Sequence, residues 1–249
     1  MLPESKIDMI QSRIFRHLRR SKFQDLNTLL NAAEENNSEK SKLISTLTTN
    51  VTSFFRESHH FDLMRAELEN RNIGAGDCLR IWSAGCSSGH EPMSIAIELS
   101  EIWPDAQDRN IRILATDIDG EVLQRAKRAI FPKSEVDTIA NDRKEKFFEK
   151  PDDPTSQSVT AKGSIRNLIH FRQLNIHDAW PMKKPFDMVF CRNVVIYFDR
   201  KAQSALWPRF HSALKPNGIL FIGHSERINP IEGSGFERAG VTAFRRMAR

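Results

Sequence analysis

The chain has 249 residues, enough to bury a full core as one large domain or as a main domain with a small accessory. With 39% hydrophobic and 28% charged residues it reads as an ordinary soluble globular protein; no apolar run reaches the ~18 residues of a membrane span, and the N-terminus lacks the apolar stretch of a signal peptide. Three cysteines (Cys78, Cys86, Cys191), odd in number and without zinc-like pairing, suit a reducing cytoplasm, and the net charge of +5 hints at an anionic partner.

Residues 5–20 read as an amphipathic helix, with Ile7, Ile10, Ile14 and Leu18 on one face and Arg13, Arg16 and Arg20 on another. A second helix carries Phe23, Leu26, Leu29, Leu30 and Ala33, and a third carries Leu43, Ile44 and Leu47, split by the polar run from Glu34 to Lys40. Together they predict a small all-α domain over residues 1–48. Residues 49–76 then form a linker and a helix bearing Phe61, Leu63, Met64 and Leu68. At its head, five small polar residues around Asn50 and Thr52 run into Phe54, Phe55 and Arg56. This stretch reads either as a capping linker or as a polar strap over a ligand, with Arg56 aimed at it. Phe54 and Phe55 read as core.

From residue 77 to the end, strands and helices alternate, the pattern of an α/β protein with a parallel sheet covered on both faces. Leu79 to Trp82 is a strand, Gly85 to Gly89 a turn of small residues, and Pro92 suits the first turn of the helix that follows. Such a corner commonly binds a nucleotide. Neither G-x-G-x-x-G nor a P-loop is present, so a pyrophosphate cradle is disfavoured and a nucleoside ligand without phosphates remains, of which S-adenosylmethionine is the commonest. Ile111 to Ala115 is the next strand. Of the two aspartates after it, Asp117 is assigned the ligand's ribose diol and Asp119 the cap of the next helix. Residues 149–166 interrupt the rhythm as a surface excursion, with room for small antiparallel strands. Strands follow at Leu168–Leu174, Phe186–Cys191 and Gly218–Gly223, the last preceded by a turn at Lys215–Gly218. Phe236 to Phe244 is a hairpin partner for it. The histidines are scattered, and no metal site is expected.

Six blocks carry a resemblance: TTNVTSFFRESHHF, IWSAGCSSGHEPMSIA, ILATDID, FRQLNI, FDMVFCRNVVIYFD and LKPNGILFIGHSE. In this order the chain resembles the chemotaxis receptor methyltransferases, the CheR family, which transfer methyl from S-adenosylmethionine to glutamates of methyl-accepting chemoreceptors. The resemblance implies a Rossmann-like methyltransferase sheet with a helical N-terminal domain and a small inserted β-subdomain at residues 149–166. It implies that Asn50, Thr52, Arg56, Glu91, Asp117, Asn175, Ile176, Arg192 and Asn193 contact the cofactor, beside Gly85, where the turn itself lets a ligand approach the main chain, and that Arg56 and Tyr197 lie nearest the transferred methyl. His90 stands where the family usually has a glutamate, Met93 where a tyrosine is common, and the helical domain is shorter by about one helix.

Methyl ester formation asks little of acid–base chemistry, because a glutamate carboxylate, with an ordinary pKa of about 4.3, is already a nucleophile at neutral pH. Alignment in a dry site is the main requirement. Arg56 would orient the substrate carboxylate and Tyr197 would hold it. Arg13, Arg16 and Arg20 would dock an acidic receptor helix, as the family's basic helix implies, and a cytoplasmic monomer is expected. His90 is expected to stay neutral and to point away from the cofactor. Two rivals stand beside this reading. A nucleic-acid methyltransferase fits the basic charge, but Arg192-Asn193-Val194-Val195 replaces the proline-containing motif of base-amino methylases. A non-catalytic S-adenosylmethionine-binding adaptor is the other.

Overall fold

The structure, a computed structural model, describes residues 7–69, 71, 77–151, 153 and 155–248. Its N-terminal part is three helices, α1 (Ile7–Arg20), α2 (Leu26–Glu35) and α3 (Asn37–Leu47). Asp25 caps α2 in a reciprocal capping box with Thr28. The expected polar divide between the second and third helices shrinks to Asn36. That residue ends α2 and caps α3, its side chain accepting from Ser38 N at 2.8 Å.

Three residues of the apolar stripe on α1, Ile10, Ile14 and Leu18, do face inward, but the packing face is wider than the stripe and leaves Ile7 out. Ile7 is 46% exposed, and the inward face is Met9, Ile10, Arg13, Ile14, His17 and Leu18, all half-buried. Arg13 donates to Leu47 O (2.7 Å), Thr48 O (2.8 Å) and Thr49 Oγ1 (2.7 Å). A helix C-terminus leaves carbonyls without partners and favours a cation, and Arg13 fills that need for α3. Arg13, read from the sequence as one of three docking arginines on the polar face, is thus turned inward. Arg16 and Arg20 are exposed.

After α4 (His59–Glu69) the sheet begins: β1 (Leu79–Ala84), α5 (His90–Ile102), β2 (Ile111–Asp117) and α6 (Gly120–Arg128). A small sheet region follows: β3 (Ile130–Pro132), α7 (Lys133–Val136), α8 (Asn141–Phe147), β4 (Phe148–Glu149), β5 (Ser158–Ala161) and α9 (Gly163–Arg166). The main sheet resumes with β6 (Ile169–Gln173), β7 (Phe186–Cys191), α10 (Arg200–Ala213), β8 (Leu214–Ile222), β9 (Phe236–Gly240) and β10 (Ala243–Arg246).

The seven-stranded sheet runs β6-β2-β1-β7-β8-β10-β9. From β6 to β8 all pairings are parallel, while β10 is antiparallel to both β8 and β9. The order therefore reverses direction between β1 and β7, the switch point at whose carboxyl side open α/β sheets bind ligands. Burial on both faces makes β7 apolar nearly throughout, and all six of its residues are buried. One core cluster holds Ile81, Met93, Ile97, Phe190 and Phe221; the other holds Trp82, Phe186, Val189, Phe210 and Leu220.

Two boundaries differ from expectation. The small sheet, ordered β3-β5-β4 and antiparallel, starts at Ile130, so the excursion expected at 149–166 is only its later part; residues 152 and 154 lie outside the described residues. A three-residue strand ending in proline has no readable alternation, which hides it in the sequence. The turn expected at Lys215–Gly218 is absorbed into β8: pairing with β7 breaks between Phe186↔Leu214 and Met188↔Ile219, and Asn217 takes φ +63°. Among the described residues no helix is long and apolar enough to cross a membrane.

Candidate active site

The turn after β1 sets the site. Gly85 N and Cys86 N both donate to Thr116 O (2.8 and 2.9 Å), folding the turn against the end of β2. Gly85 has φ +84°, and a Cβ there would lie 2.3 Å from Val194 Cγ2, so glycine lets this turn meet the loop after β7. Gly89, at φ +94°, opens α5. Beside the turn lies a cavity of about 290 Å³, near the lower end of ligand pockets at ~300–1,000 Å³.

Each residue assigned to the cofactor or to the methyl lines this cavity. Asn50, Thr52 and Arg56 come from the strap, and Gly85, Glu91 and Asp117 from the first two strand ends. Asn175 and Ile176 come from the turn after β6; Arg192, Asn193 and Tyr197 follow β7. Met9 and Ile10 of α1 also reach it, which the sequence reading missed; their helical spacing gives them only a generic apolar face. Arg16 and Arg20 lie elsewhere, with Ser12, Phe15 and Arg19 along an exposed groove of α1.

The two aspartates divide as their neighbours dictate. Asp119 Oδ1 accepts from Glu121 N (3.0 Å) and Val122 N (3.2 Å), capping α6. Its other oxygen accepts from Thr48 Oγ1 (3.1 Å) and Asn50 Nδ2 (2.9 Å), so the same carboxylate anchors the strap. Asp117 accepts one backbone N–H on each oxygen, Ser87 N at 2.8 Å and Asp119 N at 3.0 Å. A carboxylate has about four acceptor directions, so two remain for hydroxyls in the cavity. Burial pushes the Asp117 carboxyl up, against those two N–H bonds.

Beneath the strap lies a buried ion cluster. Arg192 is 3.3 Å from Glu91 Oε2 and, through Nε, 3.6 Å from Glu57 Oε2; it also donates to Arg56 O. Ser83 Oγ donates to Glu91 at 2.6 Å. Burial raises the Glu91 carboxyl, opposed by Arg192 and that hydroxyl. Burial also works to raise Glu57, but the His224 hydrogen bond and Arg192 outweigh it and the net shift is downward. Arg56 donates to Val51 O (3.0 Å), which closes the strap on itself. Asn175 folds its own turn, accepting from His177 N (3.1 Å) and donating to Asp178 (3.2 Å).

His90 is 2% exposed and lies outside the cavity, between Ser88 Oγ (3.1 Å) and Glu135 Oε2 (2.9 Å), with its ring against Phe54 and Phe131. Burial lowers its pKa, against the pull of Glu135, which keeps it neutral near pH 7. Phe54, in turn, packs edge-on to Phe131 and Phe148 and is core. The histidines are less scattered than expected. Among the described residues Glu57, His59 and His60 bring ligating atoms within 4.8 Å of one another. The Arg192 guanidinium lies 3.6 Å from that glutamate and competes for its charge.

A crevice at the switch point, a glycine turn without a phosphate cradle and a buried carboxylate at the end of the second strand suit an S-adenosylmethionine-dependent methyltransferase of the α/β class. Residues 50–244 match the family described as "CheR methyltransferase, SAM binding domain", and the chain belongs to it. It is similar to a probable chemotaxis protein methyltransferase of Rhizobium etli, 36% identical over 98% of this chain and 93% of that protein. It is also 38% identical to the chemotaxis protein methyltransferase of Salmonella typhimurium, over 98% of this chain and 84% of that one. Chemotaxis protein methyltransferase 2 of Pseudomonas aeruginosa is 38% identical over 90% and 80%. The cofactor fits the donor set: Asp117 keeps acceptor capacity for a diol, and Glu91 puts a second carboxylate in the cavity wall.

Proposed function

We propose that this protein is a cytoplasmic, monomeric protein-glutamate O-methyltransferase that esterifies glutamate side chains on the cytoplasmic domains of chemoreceptors. When bound, S-adenosylmethionine supplies a methyl already activated on a sulfonium. Asp117 accepts from the ribose hydroxyls, while Asn50, Thr52, Gly85 and Glu91 close on the cofactor from the strap and the turn. Asn175, Ile176, Arg192 and Asn193 form the opposite wall. Arg56 and Tyr197 hold the substrate carboxylate in line with the methyl, Arg56 by the N–H groups not engaged with Val51. The carboxylate needs no general base. Desolvation under the strap raises the reactivity of two opposite charges that cancel on transfer.

The observation that carries this reading is that a guanidinium and a phenol line the same cavity as two carboxylates, the buried Asp117 and the half-buried Glu91. The relatives' names support chemotaxis as the setting. Receptor cytoplasmic fragments incubated with methyl-labelled S-adenosylmethionine should acquire label that mild base releases as methanol. Label that survives base would overturn the ester. Cofactor binding without any transfer would make the protein an adaptor instead.

A further inference from the structure

The block LKPNGILFIGHSE ends on a residue to which the site assigns no task. Glu226 is 2% exposed, yet among the described residues no ion pair reaches it. Its carboxylate is the centre of four backbone N–H groups. Oε2 accepts from Gly223 N (2.5 Å) and Asn193 N (3.1 Å), and Oε1 from Val195 N (2.8 Å) and Ile196 N (3.3 Å). Converging backbone N–H groups of this kind usually cradle a bound anion; here the chain supplies the anion itself.

Three of those donors belong to the loop after β7, which brings Asn193 and Tyr197 to the cavity. The loop is not held by regular structure: Asn193 takes φ +58°, and only a single 3-10 turn, Val195–Tyr197, follows. A non-glycine residue in the left-handed region needs surroundings that hold it there. Gly223 makes the approach possible, since a Cβ on it would fall 2.5 Å from Asn193 Nδ2 and 2.7 Å from Asn193 N. The same turn reaches the strap as well: His224 N and Nδ1 both lie within hydrogen-bond distance of Glu57 Oε1 (3.3 and 3.1 Å).

We propose that Glu226 is a positioning residue for methyl transfer, its carboxylate fixing the 193–197 loop so that Asn193 and Tyr197 face the cofactor and the substrate carboxylate. The proposal rests on the assignment of those two residues to the site. Glu226 touches neither ligand and acts through the backbone it gathers.

The chain has a single tyrosine, so labelling with 3-fluorotyrosine yields one fluorine resonance, that of Tyr197. Glu226→Gln keeps the shape but points an amide donor at backbone donors. In that variant the resonance should shift or broaden. Affinity for S-adenosylhomocysteine should fall about tenfold, the weight of one hydrogen bond to a charged acceptor. Glu226→Asp keeps the charge but draws it back by one methylene, and should give a smaller change in the same direction. Glu232→Gln, at an exposed position, should change neither. A merely structural Glu226 would lower the melting temperature while leaving the resonance and the affinity of the folded molecules at wild-type values. That result in Glu226→Gln, or in Glu226→Asp where the first variant does not fold, overturns the proposal. The fluorine signal is read without turnover, so a wild-type protein that methylates no receptor breaks the functional reading and leaves this one to be judged on its own.

Discussion

Helix α5 and helix α1 are of similar length and bound the same cavity, yet they differ in what their neighbours demand of them. Ten of the 13 residues of α5 are buried, and none of the 14 in α1. Around α5 each polar group has a fixed partner: Ser83 and Arg192 for Glu91, Glu135 for His90. In α1 eight of the 14 residues are exposed and the other six half-buried, and which face turns inward is decided by what lies opposite. Arg13 turned inward because the end of α3 offered carbonyls. A buried element thus ties residue type to task, and a surface helix leaves the same residue type free for several.

The sharpest way to break that contrast is to remove a charge from each region. Arg192 is the one cation between Glu57 and Glu91, and its side chain is 3% exposed. Arg192→Ala should destabilise the protein by about 3–5 kcal/mol, because Glu57 and Glu91 lose the cation that stands between them. It should also abolish measurable cofactor binding. Arg16→Ala on α1 should change stability by less than ~0.5 kcal/mol. Urea unfolding of both variants measures the pair. An Arg192→Ala protein as stable as wild type would mean that the cluster contributes no net stability.

Within the buried region the same comparison can be made two residues apart. Asp117→Ala should weaken S-adenosylhomocysteine binding by about ten- to a hundredfold, from charge-assisted hydrogen bonds worth roughly 1.5–3 kcal/mol. Asp119→Ala should act first on stability, by about 1 kcal/mol for the lost α6 cap and further for the two strap contacts. Calorimetry together with thermal melts separates the two effects. Equal losses of affinity with unchanged melting would show that Asp117 and Asp119 are not divided between ligand and cap.

How far the sequence reveals the fold and the site follows from this contrast. The parallel strands were readable because burial on both faces leaves apolar runs, and Phe186–Cys191 ends where expected. The assigned site residues gather in one cavity because glycine turns and strand ends admit few geometries. Asp119 could be read as the cap of α6, since a cap needs an aspartate directly before its helix. What stayed hidden depends on partners far along the chain. Arg13 meets residues 34–36 positions away, and Glu226 meets a loop some 30 positions before it. No local pattern marks such a pairing. Glu226 had one usable signal, an acidic residue just after a strongly apolar strand.

A third prediction uses pH. Burial first, and then the charges of Arg192 and His59, lower the His60 pKa from 6.5 to about 3, with Glu57 opposing. The native chain keeps this ring neutral, while the unfolded chain binds a proton below pH 6.5. The stability this contributes is fully present above pH 6.5 and is lost as the pH falls toward about 3. Glu91, Asp117 and Glu226, raised by burial, act in the opposite sense, so the measurement is a difference between proteins. The urea midpoint of wild type should fall more steeply from pH 7 to pH 5 than that of His60→Gln, which keeps a hydrogen-bonding group toward Thr242. Parallel curves would show that His60 is not held neutral by its burial.

The smallest effects belong to α1, and they test whether its arginines divide as the structure arranges them. Arg13 is committed to Leu47, Thr48 and Thr49, at the base of the strap that covers the cavity. Arg16 and Arg20 are exposed beside Phe15, itself 63% exposed, with Arg19 between them. A receptor helix presenting glutamates would meet these forks on the open face, and exposed charges seldom contribute more than ~1 kcal/mol each. Screening has a range of about 8 Å at physiological ionic strength, so docking through them should weaken with salt. Arg16→Ala with Arg20→Ala should raise the KM for receptor fragments about three- to tenfold at low salt, a loss within that per-charge limit. It should also flatten the salt dependence and leave kcat and cofactor affinity alone. Arg13→Ala should do the reverse: it should leave the salt dependence of KM unchanged, lower the melting temperature, and weaken cofactor binding as the strap loosens. If Arg13→Ala instead reproduces the KM effect of the other two at wild-type stability, the inward hydrogen bonds of Arg13 give way when receptor docks, and all three arginines act as one surface.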